Sequence, residues 1–147
     1  VAFGEHIEGY TNYDVEAVKI QNYELAPMFK FNFSVNFPNL KYIQVFNSSV
    51  KQLFNANFGN LTDLMVIDLS YNIIGDIHQN FFQDNHKLVS INLEGNLLTF
   101  VPPDIFVNNI FLEFVNFDNN LCVEIAAIGN DEIKALKKSA PKKCTHY

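Results

Sequence analysis

The amino-acid sequence predicts an α/β solenoid in which about five stacked coils each contribute one short parallel strand. The main observation is a frame of apolar residues that recurs every 24 or 25 residues. The residues that open the successive frames are Val15, Leu40, Leu64, Leu88 and Leu112. A polar row and a phenylalanine row recur with nearly the same period. A fixed period in this range is the signature of a repeat architecture whose units stack on one another.

Each strand is predicted from two apolar residues that are separated by a single residue. In the third coil these are Ile67 and Leu69, with Asp68 between them. Alternate side chains of a strand point to opposite faces, so the apolar pair enters the core and the intervening residue faces solvent. The full frame is typical of leucine-rich repeats. It predicts an arc with the strands on its concave face, an irregular convex side and a C-terminal helical cap.

A polar residue follows each strand, at the point where the backbone must bend. In the last three coils it is asparagine, at Asn72, Asn96 and Asn120. The bend leaves buried backbone groups that need partners, and one asparagine amide supplies both donors and an acceptor. We therefore expect these side chains to bond the backbone within and between coils. Ser48 can do part of this and Tyr23 cannot, so the first coil should be the least regular.

A row of phenylalanines is predicted on the other side of the coil, behind the strands. Each member follows an apolar residue (Met28, Leu53, Ile77 or Val101) by five positions, and the rings are Phe33, Phe58, Phe82 and Phe106. The chain has 15 Phe and no Trp, and this row accounts for part of that composition. Stacked in register, the rings form a spine that stabilises the fold. We interpret them as core residues and not as a binding site.

Length and composition predict a single domain over residues 1–147. The chain is 48% hydrophobic, which is enough apolar surface for one core. We expect an N-terminal flank or cap at 1–14, five repeats at 15–121 and a C-terminal cap at 122–147. No apolar run approaches the ~20 residues that span a bilayer, so no membrane span is predicted. Without an initiator Met or an apolar leader, we expect a processed or trimmed chain.

The charge balance argues against a nucleic-acid partner. The chain has 16 acidic residues, 10 Lys and no Arg. Five of the lysines lie in the last fourteen residues, so residues 1–133 carry the other five lysines and all 16 acidic residues. A nucleic-acid binder needs a basic face. The basic tail could touch an acidic surface, or it could simply complement the dipole of a terminal helix.

No arrangement of residues predicts catalysis, a metal or a cofactor. His78 and His86 lie eight residues apart, which is not the helical spacing of a zinc site. Asp68, Glu94 and Asp118 come from adjacent strands and could suggest acid–base work or a Ca²⁺ site. An open strand face does not desolvate carboxylates enough to shift their pKa far. We interpret them as a solvated acidic face, and we expect a protein that is not an enzyme.

Three segments carry a resemblance to a known family. They are residues 6–15 (HIEGYTNYDV), residues 37–41 (FPNLK), and Asn119–Cys122 followed by a helix and Lys143-Cys144. With the 24-residue frame they resemble the extracellular leucine-rich repeats of Toll-type receptor ectodomains. The nearer likeness is to secreted insect leucine-rich repeat proteins, including those of mosquito immunity. The resemblance implies a secreted, non-enzymatic module that binds a protein, peptide or pathogen-derived ligand in innate immunity.

Two departures from that family leave alternatives open. Extracellular relatives often have a Cys-containing N-terminal cap, and this sequence has none. Residues 1–14 are therefore either a Cys-free cap, in which Phe3, Ile7, Tyr10 and Tyr13 cover the first coil, or the cut edge of a longer receptor ectodomain. A solenoid end must be covered for solubility. An uncovered end is a candidate homodimer contact, which would fit a self-associating extracellular scaffold.

The C-terminal cap contains both cysteines of the chain. Cys122 occupies the apolar position that Leu98 holds in the preceding coil. Residues 130–138 predict a helix, with acidic residues in its first turn and lysines in its last. Pro141 ends the helix and Cys144 follows. A Cys122–Cys144 disulfide would fix the helix to the last coil and contribute roughly 3 kcal/mol. The alternative is two unpaired thiols in a cytosolic repeat protein.

Three Asn-x-Ser/Thr sites favour a secreted, extracellular protein that carries glycans. The acceptors are Asn32, Asn47 and Asn60. We expect Asn32 and Asn60 in connecting segments of the convex side, where a glycan is harmless. Asn47 should lie on the rim of the concave face. A glycan there would direct binding toward the later coils.

The concave face is the candidate binding surface for a protein or peptide ligand. Its predicted ligand-binding residues combine aromatic, amide and acidic groups, and they are Tyr42, Phe46, Asp68, Tyr71, Asn92, Glu94, Phe114, Asn116 and Asp118. Such a mixture is typical of protein-binding patches, although outward aromatics also pack along their own row to stabilise a sheet. Five strands give a face of roughly 20 by 15 Å. That is less than the ~800 Å² of a standard interface, so a peptide or small glycan fits it alone.

Overall fold

The computed structural model describes residues 9–24, 31–102, 104–121 and 126–138, and it shows one six-stranded sheet wound as a solenoid. The strands are β1 (Ala17–Gln21), β2 (Tyr42–Phe46), β3 (Val66–Asp68), β4 (Ser90–Asn92), β5 (Phe114–Asn116) and β6 (Ala126–Ile128). The helices are a 3-10 helix (Asn12–Asp14), α1 (Phe33–Asn36), α2 (Asn55–Phe58) and α3 (Asn130–Lys138). None of the described helices is long and apolar enough to cross a membrane.

The strands β1 to β5 pair in parallel and in sequence order, one per coil. Their register follows the repeat, so Ile43 lies opposite Ile67 and Ile67 lies opposite Ile91. These inward residues are fully buried, because each coil places its apolar pair between the pairs of its neighbours. The leucine-rich repeat solenoid predicted from the frame is confirmed.

The predicted asparagine row forms a hydrogen-bonded ladder inside the coils. The Asn96 side chain accepts a 3.0 Å bond from the Ile74 N–H and donates to the Leu69 and Leu93 carbonyls, each at 3.0 Å. Asn72 and Asn120 bond the backbone of their own and the preceding coils in the same way. The ladder therefore satisfies the backbone groups that the bend leaves unpaired.

A second asparagine ladder was not predicted. Asn85 and Asn109 are buried, and the Asn85 amide donates to the Phe58 and Leu61 carbonyls at 3.0 Å each. The Asn109 amide donates to the Phe82 carbonyl at 3.1 Å and to the Asn85 carbonyl at 2.9 Å. Each of these asparagines lies three residues before the Leu that opens a frame, which is the sequence signal for this row.

The phenylalanine spine is confirmed, and further rings join the four predicted ones, with Phe31 against Phe33 and Phe117 against Phe106. Phe33 stacks on Phe58 with ring centroids 5.6 Å apart, and Phe82 stacks on Phe106 at 5.9 Å. Phe81 fills the space between the two pairs, 5.6 Å from Phe58 and 5.0 Å from Phe82, with both contacts edge-on. The third coil thus contributes two rings, because adjacent residues both turn into the core.

The N-terminal flank does not bury its tyrosines. Tyr10 and Tyr13 are 62% and 69% exposed, so the expectation that they cover the first coil is wrong for these two side chains. The flank is held in a different way, because the Asn39 amide donates a 2.7 Å bond to the Tyr13 carbonyl. Phe3 and Ile7, the other residues expected in this cap, lie outside the described residues.

The C-terminal end is covered by α3 and β6. The helix has the bounds predicted from the sequence, and Ile133 is buried against the last coil. Lys137 continues the second asparagine ladder, because its Nζ donates a 2.8 Å bond to the Asn109 carbonyl. Strand β6 was not predicted; it pairs antiparallel with β5 and covers its edge. Cys122 and Cys144 lie outside the described residues, so their disulfide stays a prediction.

Candidate ligand-binding face of the sheet

The outward side chains of the sheet form what we call the exposed sheet face, the counterpart of the predicted concave face. The register aligns its residues in rows across the strands. One row is Tyr42, Val66, Ser90 and Phe114, and the next is Gln44, Asp68, Asn92 and Asn116. All eight side chains are half-buried, because each packs against its neighbours along the row. They are accessible to a ligand along one side.

Tyr71, the most exposed aromatic residue of this face, is held in place on two sides. Its ring contacts the Phe46 ring edge-on, with centroids 5.4 Å apart. Its hydroxyl donates a 2.6 Å hydrogen bond to Glu94 Oε1. The ring also lies over Gly95, where an added Cβ would come within 2.9 Å of it. These contacts fix the orientation of a side chain that is still 47% exposed.

The backbone at Tyr71 is left-handed, with φ of 56°. The same conformation recurs at the equivalent position of every coil, in the bend after the strand, and these residues are Asn22, Asn47, Tyr71, Gly95 and Asn119. Asparagine and glycine tolerate this region, whereas an aromatic residue is rare there. A strained residue of this kind on an accessible surface is a candidate functional residue.

Glu94 collects donors from two neighbouring coils. Besides Tyr71, the Asn116 amide donates to Oε2 at 3.2 Å and the Asn119 amide donates to Oε1 at 3.1 Å. Because its phenol donates to this carboxylate, and because the carboxylate charge disfavours a phenolate, the pKa of Tyr71 is raised above its usual value. Phe46, Tyr71, Glu94, Asn116 and Asn119 therefore form one connected group, which we call the Tyr71 cluster.

Asp68 belongs to a separate group nearer the N-terminal end of the face. Its Oδ2 accepts a 2.6 Å bond from the Gln44 amide, and its Oδ1 accepts bonds from the Ser70 N–H and hydroxyl at 3.0 and 2.6 Å. Partial burial and the negative charge of Asp68 raise the pKa of Tyr42, in that order of importance. Gln44 was not among the predicted site residues, although its position between Tyr42 and Phe46 on the strand indicated an outward side chain.

The remaining predicted residues have mixed roles. Asn92 accepts a 3.1 Å bond from the Glu94 N–H and Asn116 accepts a 2.8 Å bond from the Asp118 N–H, so both close the turn after their strand. Asp118 is half-buried at the end of the face. Phe114 lies at the far end of its row from Tyr42, beyond β3 and β4. The four predicted aromatic residues therefore do not form one patch. They are Tyr42, Phe46, Tyr71 and Phe114.

Besides Gln44, two further residues of this surface were not among the predicted site residues. Ile128 of β6 lies opposite Phe114 and is strongly exposed, which extends the face by a sixth strand. No repeat signal marks it, because β6 runs antiparallel outside the frame. Asn119 was missed because the 24-residue frame gives its row position but not the reach of its side chain to Glu94.

Among the described residues, no group of three His, Cys, Asp or Glu side chains is placed to hold a metal ion. Asp68 and Glu94 of the exposed sheet face accept hydrogen bonds from amide and hydroxyl groups, and Asp68 also accepts one from a backbone N–H. The geometry supports recognition by hydrogen bonding and aromatic contact.

The three predicted glycan acceptors differ in their surroundings. Asn32 is half-buried at the start of α1, where its Oδ1 accepts from the Ser34 N–H and hydroxyl at 3.1 and 2.7 Å. Asn47 is exposed beside the sheet, and its amide donates a 2.9 Å bond to Asn22 Oδ1. Asn60 is exposed in a turn. Glycosylation at each of the three remains a prediction.

Comparison with known proteins supports the fold. The family described as "Leucine rich repeat" matches residues 38–98. The chain is similar to the Drosophila Toll chain in the solved Toll–Spatzle complex, with a TM-score of 0.67, 22% identity and coverage of 78% of this chain. The glycosylated form of that complex gives a TM-score of 0.67, 23% identity and coverage of 74% of this chain.

The match spans only 16% of the Toll chain, or 14% in the glycosylated form. No curated protein matches this sequence. At these identities the similarity concerns the backbone architecture, which agrees with the parallel register of β1 to β5. The chain has the leucine-rich repeat fold.

Proposed function

We propose that this chain is an extracellular, non-enzymatic binding module that recognises a protein or peptide ligand through the exposed sheet face. The observation that carries the proposal is the Tyr71 cluster. It combines a fixed and accessible aromatic ring with a carboxylate and two amides. Leucine-rich repeat domains generally act by binding proteins, and the fold itself implies no particular ligand.

The side chains of the Tyr71 cluster are held in place before a ligand binds, and this favours binding. An interface residue that must be immobilised costs about 0.5–1.5 kcal/mol of conformational entropy on association. Tyr71 is already held by Phe46, Glu94 and Gly95, so little of that cost remains. Tyrosine is also among the residue types that dominate binding energy at protein interfaces.

The charge of the face favours a ligand segment with a basic residue. The third, fourth and fifth coils each place one acidic residue on this face, namely Asp68, Glu94 and Asp118. Among the outward strand positions in the described residues, the one cation is Lys19 on β1. A lysine or arginine of the ligand could pair with Glu94 and lie against the Tyr71 ring, where a cation gains further attraction. We therefore place a cationic side chain of the ligand at the Tyr71 cluster.

The neighbours provide a biological setting for the proposal. The Toll–Spatzle complex is described as a molecular hub in Drosophila development and innate immunity. By analogy we assign this chain a secreted or receptor-borne role of the immune type. Because it corresponds to a small part of Toll, the proposal includes a segment of a longer receptor ectodomain.

The experiment compares binding of the wild-type chain and three variants to a panel of purified extracellular proteins and peptides. Tyr71→Glu and Phe114→Glu place a charge on the exposed sheet face. Val107→Glu places the same charge on an exposed residue away from it. The proposal expects at least a tenfold loss of affinity for both face variants and none for Val107→Glu. If the wild-type chain and all three variants bind every ligand found with equal affinity, the exposed sheet face is not the binding site.

A self-associating scaffold is the second candidate function, and the incomplete burial of the apolar residues of β1 favours it. Val18 and Ile20 are only partly buried, whereas Ile43 and Val45 of the next strand are fully buried. Tyr10 and Tyr13 add exposed aromatic surface close in sequence to this edge strand. A concentration-dependent dimer in sedimentation velocity that Tyr13→Asp dissolves would support this candidate. A monomer at all concentrations would reject it.

A further inference from the structure

A groove with a volume of about 590 Å³ lies along the edge where β3, β4 and β5 begin, next to the row of Val66, Ser90 and Phe114 on the exposed sheet face. Its apolar lining consists of Met65, Val89, Ile110 and Phe111. Lys87, Glu113 and Asn130 complete the lining. Its size falls within the range of about 300–1,000 Å³ that is usual for ligand pockets.

The repeat explains why these residues meet. Met65, Val89 and Glu113 immediately precede β3, β4 and β5, and the backbone joins them directly. The Val89 N–H donates to the Met65 carbonyl and the Glu113 N–H donates to the Val89 carbonyl, each at 2.8 Å. The row is therefore as regular as the sheet, with about 4.8 Å between coils.

The composition of this edge changes along the solenoid. In the first two coils the corresponding positions are Glu16 and Lys41, which form an ion pair at 2.5 Å. In the third and fourth coils they become Met65 and Val89, so this row is apolar only between the Glu16–Lys41 ion pair and Glu113 of the fifth coil. The apolar part is confined to the coils that form the groove.

Phe111 is an aromatic residue at a position where the two preceding coils have charged residues, and its side chain is not required to fill the core. The same position holds Asp63 and Lys87 in the two preceding coils, where they pair with each other. Phe111 is 57% exposed and its neighbour Ile110 is 71% exposed, so neither is placed to fill the core. Large exposed apolar groups that adjoin a groove mark interaction sites.

The open charge beside the groove is negative. Lys87 is engaged by Asp63 at 2.5 Å, so its charge is already balanced. Glu113 is exposed and makes no ion pair within the described part of the chain. A ligand that fills the groove therefore finds an unpaired carboxylate at its rim and no free cation among the lining residues.

We propose that this groove binds a peptide segment of a partner protein that carries an aromatic or branched aliphatic anchor next to a lysine or arginine. The anchor lies among Met65, Ile110 and Phe111, and the basic side chain pairs with Glu113. This groove adjoins the Phe114 row of the exposed sheet face but includes no residue of the Tyr71 cluster, and the proposal does not depend on the function proposed for that face.

The test is an NMR titration of the ¹⁵N-labelled chain with three synthetic peptides. The first contains Phe-Leu-Arg between Gly-Ser flanks, the second replaces its Arg by Glu, and the third replaces its Phe and Leu by Ser. We expect the first to shift the amide signals of Ile110, Phe111 and Glu113. Binding of each of the other two should be at least fivefold weaker.

Two variants assign the binding to the groove, and a third serves as control. Phe111→Ser should weaken binding of the first peptide at least tenfold. Glu113→Lys should reverse the preference, so that the Glu peptide binds better than the Arg peptide. Val107→Ser removes a comparably exposed apolar side chain elsewhere and should change nothing. Because Glu113→Lys is a surface change, its result stands even if Phe111→Ser lowers stability.

Three results would overturn the proposal. The first is equal binding, or equal absence of binding, for all three peptides. The second is a set of shifts centred on Tyr71, which would assign the peptides to the exposed sheet face. The third is a wild-type dimer that Phe111→Ser dissolves, since the groove would then be covered by a second copy of the chain.

Discussion

The Tyr71 hydroxyl donates a 2.6 Å hydrogen bond to Glu94 Oε1, and this bond joins the third coil to the fourth on the outside of the sheet. It comes from a residue with a left-handed backbone, in a row otherwise occupied by asparagine and glycine. Two amides of the fifth coil, on Asn116 and Asn119, bond the same carboxylate. Three coils thus share one polar cluster on the accessible side of the solenoid.

Glu94→Gln should lower the pKa of Tyr71. The Glu94 carboxylate accepts a hydrogen bond from the phenol and opposes a second negative charge, and both effects raise the pKa of Tyr71 above its usual value of 10.0. Since the raised pKa belongs to the folded state, this bond stabilises the fold below pH ~10 and is lost as the pH rises through the raised pKa. The measurement is a pH titration of the Tyr71 ring carbons by NMR. An unchanged pKa in the variant would show that the bond does not persist in solution.

Gly95→Ala should destabilise the chain by about 1–2 kcal/mol and displace the Tyr71 ring. The residue has φ of +65°, and its new Cβ would lie 2.9 Å from that ring. Gly75→Ala is the matched control, since nothing lies within 4 Å of the added Cβ and its φ is not positive. That control should be neutral or slightly stabilising in urea denaturation. Equal effects of the two substitutions would contradict the close packing of Tyr71 on Gly95.

Asn96→Ala should destabilise the chain by about 1–3 kcal/mol, because it leaves the buried Ile74 N–H without its acceptor and removes one of the two asparagine donors to each of the Leu69 and Leu93 carbonyls. Asn108→Ala removes an exposed asparagine whose amide makes a single 3.3 Å bond, and it should change stability by less than ~0.5 kcal/mol. Urea denaturation of both variants provides the comparison. A similar small effect for both would show that the ladder does not stabilise the coils.

Lys137→Met should destabilise the C-terminal end by about 1 kcal/mol, because it removes the donor to the Asn109 carbonyl while it keeps an apolar side chain of similar length. Lys134→Met changes an exposed lysine of the same helix and is the control. Hydrogen exchange of the α3 amides measures the effect locally. If exchange accelerates equally in both variants, the helix is held by its apolar contacts alone.

Features with a fixed period could be predicted from the sequence. The strands, the Asn72–Asn96–Asn120 ladder and the phenylalanine spine all follow the 24-residue frame, because each coil repeats the packing problem of the one before. The helix α3 was also predictable, since its acidic first turn and lysine-rich last turn match the helix dipole.

Features that depend on long side chains or lie outside the frame could not be predicted. The contacts of Tyr71 and of Gln44 require knowledge of rotamers, which spacing does not supply. The Asn85–Asn109 ladder was obscured because asparagine is abundant throughout the chain. Strand β6 follows the last frame and pairs antiparallel, so the repeat pattern does not predict it.

The most direct test of the central claim, that the exposed sheet face binds the ligand, is site-specific photocrosslinking. Benzoylphenylalanine replaces Phe114 on the face or, as a control, Val107 away from it, and each protein is irradiated in extracellular fluid of its source. We predict a crosslinked partner from the Phe114 position that Glu94→Lys suppresses, and none from the Val107 position. Crosslinking from Val107 alone, or a Phe114 product that Glu94→Lys leaves undiminished, would contradict the claim.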